Sequence, residues 1–235
     1  MPLFDIIELV TYMKYLKKHR KIILAAICLI LFIIVAKTAL VDGLVFYDKA
    51  AQDIVNSVRC DTLTVIMKLF TFACSVEVLL FICVLTFILG KDKKKSSLIS
   101  INLIINYLLN TIAKYIVQRP RPDEVLRLIE EHGYSFPSGH SMVAMAFYGY
   151  IVYLIYKHVD NKPKKYIACF SLLFLIAMIG ISRIYLGVHY ASDVLAGFLL
   201  SIAYLMLFVI FSPKVLDFIN KRLKNEKEEK TKKKN

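Results

Sequence analysis

Long apolar runs are the feature of this sequence that most constrains its fold. Six of them approach or reach the length of about 20 residues that an α-helix needs to cross roughly 30 Å of hydrocarbon. They cover 22–41, 71–89, 98–117, 141–157, 166–182 and 194–212. Because 58% of the 235 residues are hydrophobic, the chain has more apolar surface than a soluble core could hide. The sequence therefore predicts an all-α fold, a bundle of six transmembrane helices.

Lys and Arg residues are distributed unevenly among the segments that connect these runs. Four segments hold five, four, four and nine of them: 1–21, 91–95, 157–165 and 212–235. The alternate connections hold seven together: 42–70, 118–140 and 183–193. Since Lys- and Arg-rich loops remain on the cytoplasmic side, we predict that both termini are cytoplasmic and that the three charge-poor connections face outward.

We expect one membrane domain, 22–212, between a cytoplasmic N-terminal segment, 1–21, and a basic cytoplasmic tail, 213–235, disordered at its end. The first apolar run is too long for a signal peptide and predicts an uncleaved anchor. A short amphipathic helix over 44–58 is expected to lie along the outer interface. The tail is typical of a topology determinant that anionic lipids attract, so no nucleic-acid partner is expected. The five cysteines include no CxxC pair and indicate neither a zinc site nor a disulfide.

The first of three polar clusters on the predicted outer side is KYIVQRPRP, 114–122. Lys114 and Arg121 are seven residues apart and share one face if the third helix continues to Pro122. For these two cations, a place in the bundle interior and an extension to lipid headgroups are both open, whereas Arg119 fits the headgroup interpretation. Three asparagines continue the same stripe and favour hydrogen bonds between helices: Asn102, Asn106 and Asn110.

The second cluster is YSFPSGHS, 134–141, directly before the fourth apolar run. Ser138 is a predicted N-cap, and Gly139 allows a ligand to approach the backbone closely. The amides at a helix N-terminus form a favourable site for an anion. His140 adds a proton donor beside that site, although a turn with a structural histidine has the same pattern.

The third cluster is SRIYLGVHYASD, 182–193, between the last two apolar runs. His189 and Asp193 are four residues apart, so the carboxylate can bond one ring nitrogen and leave the other free to attack or accept a proton. Arg183 offers a planar fork that suits phosphate oxygens, and Ser182 adds a hydroxyl. Three cations, helix amides and two histidines on one side of a membrane fit phosphoryl transfer.

These motifs resemble the tripartite signature of the type-2 phosphatidic acid phosphatase superfamily. Eleven positions match in order: Lys114-x6-Arg121-Pro122, Pro137-Ser138-Gly139-His140 and Ser182-Arg183-x5-His189-x3-Asp193. The resemblance implies a lipid phosphatase without a metal or other cofactor, with His189 as the nucleophile, Asp193 orienting it and His140 as the acid. It further implies phosphate binding by five residues: Lys114, Arg121, Ser138, Gly139 and Arg183.

The expected substrate is a lipid phosphate of the bilayer, presented at the outer face of a plasma membrane of bacterial type. Undecaprenyl diphosphate, phosphatidylglycerol phosphate and phosphatidate are the candidates, and the motifs do not choose among them. The loop 123–136, with Glu130 and Glu131, is either a selector of headgroups or a solvated loop. Phosphotransfer to an acceptor other than water and non-catalytic binding of lipid phosphates are the alternatives. The sequence leaves the oligomeric state open.

Overall fold

The fold of this chain was analysed in a computed structural model. The structure describes residues 3–41, 46–90 and 92–232, with side chains described for 18–41, 46–90, 92–215 and 217. The described residues form eight α-helices and one short 3-10 turn, Glu124–Leu126, with no β-strand among them. The helices are α1 Leu3–Val41, α2 Phe46–Val58, α3 Asp61–Phe72, α4 Val76–Leu89, α5 Lys93–Val117, α6 Gly139–His158, α7 Lys162–Tyr185 and α8 Ala191–Lys232. The predicted all-α class is therefore confirmed.

Helix α6 occupies the centre of the bundle, because it packs against α5, α7 and α8. Helix α1 packs along the outside of α8, and α3 packs against α7. The main core is built where apolar side chains of the central helices meet, with Phe147, Ile179 and Leu205 among its buried members. The functional clusters named above lie where α5 and α7 end and where α6 and α8 begin.

Fewer than six helices among the described residues have the length and apolarity of a membrane span. Among the described residues, four helices are long and apolar enough to cross a membrane: Lys18–Val41, Lys93–Val117, Lys162–Tyr185 and Ala191–Val215. The pair α3 and α4 makes a fifth if its 45° bend belongs to one broken span. The predicted fourth span, 141–157, coincides with α6, which does not reach the same apolarity. Three neighbouring helices pack against α6, so less of its surface would face lipid and need to be apolar. Six spans and cytoplasmic termini stay predictions.

Two helix boundaries were predicted wrongly. The second apolar run is not one helix, because α3 ends at Phe72 and α4 begins at Val76, where the Ser75 side chain accepts a bond from the Val78 amide. The third helix does not continue to Pro122, because α5 ends at Val117 and the next residue is left-handed, with φ of 51°. Proline at 120 and 122 explains this end, since proline disfavours helix in the residue before it and lacks an amide donor.

The asparagine stripe of α5 forms hydrogen bonds to neighbouring helices, as predicted. The Asn102 side chain donates to the Ala146 carbonyl at 2.7 Å, and Asn106 donates to the Ser201 hydroxyl at 3.0 Å. Asn110 donates to the Pro137 carbonyl at 3.2 Å, so it fixes the turn that precedes α6. These three bonds tie α5 to α6, to α8 and to the second polar cluster.

Long helices extend into both end segments of the described chain. Helix α1 begins at Leu3, so residues 3–21 continue into the first span without a break. Helix α8 continues through Lys232, and the disordered end of the tail stays a prediction. Acidic and basic residues four apart, Glu226 with Lys230 and Glu228 with Lys232, favour a helix there. The last three residues, 233–235, lie outside the described residues.

Candidate active site

The three polar clusters lie against one another in the folded chain. The Ser138 amide donates to the Asp193 carbonyl at 3.0 Å, which joins the second cluster to the third. The Ser135 amide donates to the Arg119 carbonyl at 2.9 Å, and the Arg121 guanidinium donates to the Val188 carbonyl at 2.9 Å, which joins the first cluster to both others. Segments up to eighty residues apart in the sequence therefore form one site.

His189 and Asp193 form a hydrogen-bonded pair at the start of α8. Their Nδ1 and Oδ2 atoms are 3.4 Å apart, and the Tyr190 amide donates to the same carboxylate oxygen at 2.9 Å. On the other side of the ring, Nη1 of Arg121 lies 3.2 Å from Nε2. Because arginine has only donors, Nε2 must accept this bond, and Nδ1 then carries the hydrogen that faces Asp193. This tautomer places the lone pair on Nε2, where it accepts the Arg121 bond, and Arg121 must release it before Nε2 can attack a substrate.

The environment of His189 favours a neutral imidazole. Burial lowers the pKa of His189 well below 6.5, and the positive charges of Arg183, Arg121 and Lys114 lower it further. Both effects penalise the imidazolium. The ring therefore holds its lone pair ready at neutral pH.

Arg121 and Arg183 form an anion-binding fork that a carboxylate occupies in this structure. Glu131 lies between them, with one oxygen 3.4 Å from Nη2 of Arg121 and the other bonded to Nη2 of Arg183. Arg183 is 1% exposed, and its Nη1 also donates to the Thr71 hydroxyl at 2.5 Å. Since carboxylate and phosphate oxygens bind arginine in the same way, Glu131 stands where phosphoryl oxygens fit. Glu131 thus contacts the site, whereas the sequence left the loop 123–136 undecided.

The remaining predicted site residues lie around this fork. Lys114, at the end of α5, donates to the Tyr134 carbonyl. Ser138 is the N-cap of α6, as predicted, and its buried hydroxyl accepts from the Ser141 amide at 3.4 Å. Gly139 begins α6 beside Asn110, where a Cβ atom would lie 3.1 Å from the amide oxygen. His140, in the first turn of α6, lies close enough to interact electrostatically with Lys114, Arg121, Arg183 and His189.

Ser182 does not face the site. Its hydroxyl is fully buried and donates to the Ile179 carbonyl of its own helix at 2.7 Å. A helical serine commonly forms this bond to the preceding turn. The hydroxyl contact considered for Ser182 is therefore not found.

Arg119 and Asp48 belong to the site, and the sequence did not reveal their connection. Arg119 does not extend to headgroups: it is 4% exposed and pairs with Asp193 at 2.7 Å and with Asp48 at 2.9 Å. Its guanidinium also lies over the Tyr190 ring, 4.1 Å from the centroid. One signal was available, because Asp48 is in helical register with the apolar positions 51 and 55 of its own helix. A carboxylate on an apolar face needs a buried partner.

Gly187 allows the third cluster to turn back toward the loop 123–136. Its φ is +72°, and a Cβ atom would lie 2.1 Å from the Leu126 carbonyl oxygen. The Leu128 amide donates to the Leu186 carbonyl at 2.9 Å in the same place. Only glycine combines this backbone angle with so close a contact.

The described residues include no group of three His, Cys, Asp or Glu side chains arranged to hold a metal ion. All five cysteines lie within the described residues and are free thiols, and Cys60 alone among them is exposed. The predicted absence of a cofactor stays a prediction, which chelation tests below.

Apolar spans that surround a histidine-centred anion site define a helical membrane protein built to bind a phosphate-like group. The model of the PAP2 superfamily matches residues 96–217, which contain all three polar clusters. The chain belongs to the PAP2 superfamily, the family of type-2 phosphatidic acid phosphatases that the motifs predict, and this prediction is confirmed.

Individual relatives agree with the family. Phosphatidylglycerophosphatase B of Bacillus subtilis is 40% identical over 116 residues, which are 48% of this chain and 56% of that protein. The chain therefore matches about half the length of this curated relative. The crystal structure of a transmembrane PAP2-type phosphatidylglycerolphosphate phosphatase from Bacillus subtilis has a TM-score of 0.73 at 30% identity, covering 81% of this chain and 96% of that one. LpxE of Aquifex aeolicus has a TM-score of 0.54 at 26% identity, covering 66% and 92%.

Proposed function

We propose that this protein is an integral membrane phosphatase that hydrolyses the phosphate of a lipid headgroup through a phosphohistidine intermediate. Family membership supports the general class, and the arrangement of His189, Asp193 and the arginine fork supports the chemistry. The proposed substrate class rests on one further observation, an apolar cavity beside His140.

This cavity has a volume of about 500 Å³ and lies between α4, α5 and α6. Its wall is almost entirely apolar, but Gly139 and His140 form part of it. The lining also includes Leu79, Leu80, Leu103, Ile104 and Val143. A lipid tail placed here would bring its headgroup to the first turn of α6 while the tail remains in an apolar environment. The cavity is the single observation that most favours a lipid over a soluble phosphate ester.

In the first step, Nε2 of His189 attacks phosphorus, a nitrogen–phosphorus bond forms and the bond to the leaving oxygen breaks. Asp193 holds the ring by Nδ1 and stabilises the positive charge that develops on it. Lys114, Arg121 and Arg183, with the Ser138 side chain and the Gly139 amide, stabilise the equatorial oxygens. Glu131 must leave the arginine fork, because the phosphate oxygens need the same donors.

Burial and the neighbouring cations hold the pKa of His140 well below 6.5, so His140 takes up a proton from solvent when the negatively charged phosphate binds among these cations. It gives this proton to the leaving oxygen in that step. Because the apolar cavity adjoins His140, the leaving oxygen is the one that carries the lipid. His140 then accepts a proton from water, which attacks phosphorus and releases inorganic phosphate from His189. Three fixed cations supply the charge stabilisation that a metal ion provides in other phosphatases.

Phosphatidylglycerol phosphate is the first candidate substrate. The curated relative and the protein of the solved structure, both from Bacillus subtilis, are named as phosphatases of this lipid. Phosphatidate and undecaprenyl diphosphate present a terminal phosphate of the same kind and are the next candidates. We place the site at the extracytoplasmic face of a bacterial plasma membrane, because the segments that form it come from the connections poor in Lys and Arg.

The test is phosphate release by the purified protein in detergent micelles, with the three lipids compared in the presence of EDTA. We expect release from at least one of them, undiminished by EDTA. Activity that EDTA abolishes and Mg²⁺ restores would contradict the cation-only mechanism. Transfer of phosphate to an added alcohol in preference to water would favour the phosphotransferase alternative, and binding without turnover would favour the lipid-phosphate binder.

Filling the apolar cavity should reduce activity toward long-chain lipids selectively. We expect Leu103→Trp to lower kcat/KM for a long-chain lipid phosphate roughly tenfold, while a short-chain soluble analogue changes less than about twofold. The reason is that tail binding in the cavity contributes to transition-state stabilisation only if the tail is long enough to enter. The matched control is Ile105→Trp, on the same helix but outside the cavity lining. Equal losses for both lipids, or an equal loss in the control, would contradict a tail site.

Activity should persist in weakly acidic solution. The pKa of His189 is lowered well below 6.5 by burial and by the neighbouring cations, so the nucleophile stays neutral as the pH falls through that value. We expect the acidic limb of the kcat/KM profile below pH 6.5, after correction for ionisation of the substrate. A limb at or above the ordinary histidine value would show that His189 is more exposed or less positively surrounded than this structure has it.

A further inference from the structure

Asp48 is the one buried side chain of α2. The rest of this helix is half-buried or exposed, yet Asp48 is 2% exposed. Its carboxylate accepts hydrogen bonds from the amide and the hydroxyl of Ser192, each at 2.7 Å. Ser192 lies in the first turn of α8, immediately before Asp193. Asp48 thus caps the helix that carries the proposed catalytic carboxylate, and its charge favours that helix end.

Arg119 connects Asp48 to Asp193. Its Nη2 donates to Oδ2 of Asp48 at 2.9 Å, and its Nη1 donates to Oδ1 of Asp193 at 2.7 Å. All three side chains are at most 4% exposed, so water screens these charges little. The other oxygen of Asp193 faces His189. A continuous chain of bonds therefore extends from α2 to the nucleophile.

The charges of these hydrogen-bonded side chains explain why a second carboxylate, Asp48, is useful. If Arg119 paired with Asp193 alone, the guanidinium would neutralise the carboxylate that must stabilise the His189 imidazolium. With Asp48 on its other side, Arg119 is shared between two carboxylates, and the group keeps a net negative charge beside His189. The imidazolium that forms during the reaction lies next to this negative charge, so the group stabilises the transition state more than the resting enzyme.

We propose that Asp48 is a positioning residue for the reaction, acting through Arg119 on the Asp193–His189 pair, with α2 as an element of the active site. This inference rests on the proposed phosphatase function. The inference gives α2 a role in catalysis, whereas the sequence predicts only an amphipathic helix along the outer interface.

The test compares Asp48→Asn, Arg119→Gln and the double variant with wild type, using phosphatidylglycerol phosphate in detergent micelles from about pH 4 to pH 8. We expect Asp48→Asn to lower kcat about tenfold and to change KM less than about twofold, since Asp48 does not touch substrate. Adding Asp48→Asn to Arg119→Gln should cost less than about twofold more, because the two act as one unit. The control is Asp53→Asn, an exposed carboxylate on the same helix, with wild-type kcat expected.

The pH profile separates electrostatic positioning from a folding defect. The charged and titratable groups around His189 are Asp193, Arg121, Arg183, Lys114, Glu131 and His140. None of these changes in the variants, so Asp48→Asn should move the acidic limb of kcat/KM to lower pH, and Arg119→Gln should move it to higher pH. A loss of kcat with no movement of either limb would overturn the proposal.

The remaining outcomes also decide. Wild-type kcat in Asp48→Asn, with His189→Ala inactive, would overturn this inference and leave the phosphatase function intact. If His189→Ala is fully active, the phosphatase mechanism itself is wrong. Should Asp48→Asn not fold, the double variant is compared with Arg119→Gln instead. An acidic limb that returns from the Arg119→Gln position toward that of wild type supports the proposal, because the Asp48 charge then acts on His189. A limb equal to that of Arg119→Gln overturns it.

Discussion

Replacement of His189 by alanine is expected to lower phosphate release by about 10⁴-fold or more, the scale observed when a covalent nucleophile is removed. The structure gives the reason, because Nε2 lies 3.2 Å from Nη1 of Arg121, at the arginine fork proposed to hold the phosphoryl oxygens. Among the described side chains at the fork, no other ring nitrogen is bonded to a carboxylate in this way. Substrate binding should change much less than kcat, since the cations remain.

The measurement has two parts. Steady-state phosphate release gives kcat and KM. The amount of labelled phosphate that stays on the protein after a rapid quench in acid, compared with a quench in base, reports the intermediate. Phosphohistidine is acid-labile and stable in base, so wild type should show base-stable label that His189→Ala lacks. The matched control is His158→Ala at the opposite end of α6, an exposed histidine bonded to the Leu154 carbonyl. Loss of activity in both variants, or label retained in His189→Ala, would contradict the assignment.

Much of the site could be predicted because its residues lie at short, regular spacings. His189 and Asp193 are one helical turn apart, and Ser138 precedes an apolar run as an N-cap must, so local geometry is sufficient. The asparagines of α5 were predictable for the same reason, since steps of four place them on one face. Here the interactions are encoded within a few residues of each other, and the structure brings the three clusters together at the ends of adjacent helices.

What the sequence did not reveal depends on contacts between distant segments. Asp48 and Arg119 are 71 residues apart and belong to no common period, so only the packing of α2 against α7 and α8 brings them together. The apparent freedom of Arg119 after a helix end suggested lipid headgroups, because nothing local supplies a counter-charge. The end of α5 is different, because the sequence does contain a signal for it. Pro120 disfavours a helix at the preceding residue, and this outweighs the helical spacing of Lys114 and Arg121.

Arg183→Lys is the second replacement with a large expected effect, a fall in kcat/KM of about 10²- to 10³-fold. Arg183 is buried at the end of α7, and its two terminal nitrogens bond to different partners, Thr71 and Glu131. A lysine ammonium cannot hold Thr71 and a phosphoryl oxygen in that fixed plane. Its compact charge is also harder to desolvate than a guanidinium, so burial weakens it further.

Thr71 allows the orientation of Arg183 to be tested apart from its charge. It lies in the last turn of α3, next to the bend between α3 and α4. Arg183 therefore bonds to α3 in addition to its proposed contact with phosphate, and Thr71→Val should reproduce only the part of the loss due to the orientation of Arg183. We expect Thr71→Val to lower kcat/KM about tenfold, clearly less than Arg183→Lys. The control is Arg127→Lys, whose side chain bonds to Pro122 and Glu124 away from the fork.

The comparison that decides is inhibition by inorganic phosphate, which needs the fork but neither the lipid nor the nucleophile. Arg183→Lys should weaken phosphate inhibition strongly, Thr71→Val slightly and Arg127→Lys not at all. If Arg183→Lys retains wild-type turnover and phosphate affinity, the guanidinium serves only the packing of α7 against α3. The phosphoryl oxygens would then depend on Arg121 and Lys114 alone, and Glu131 would be a structural bridge with no relation to the place of the substrate.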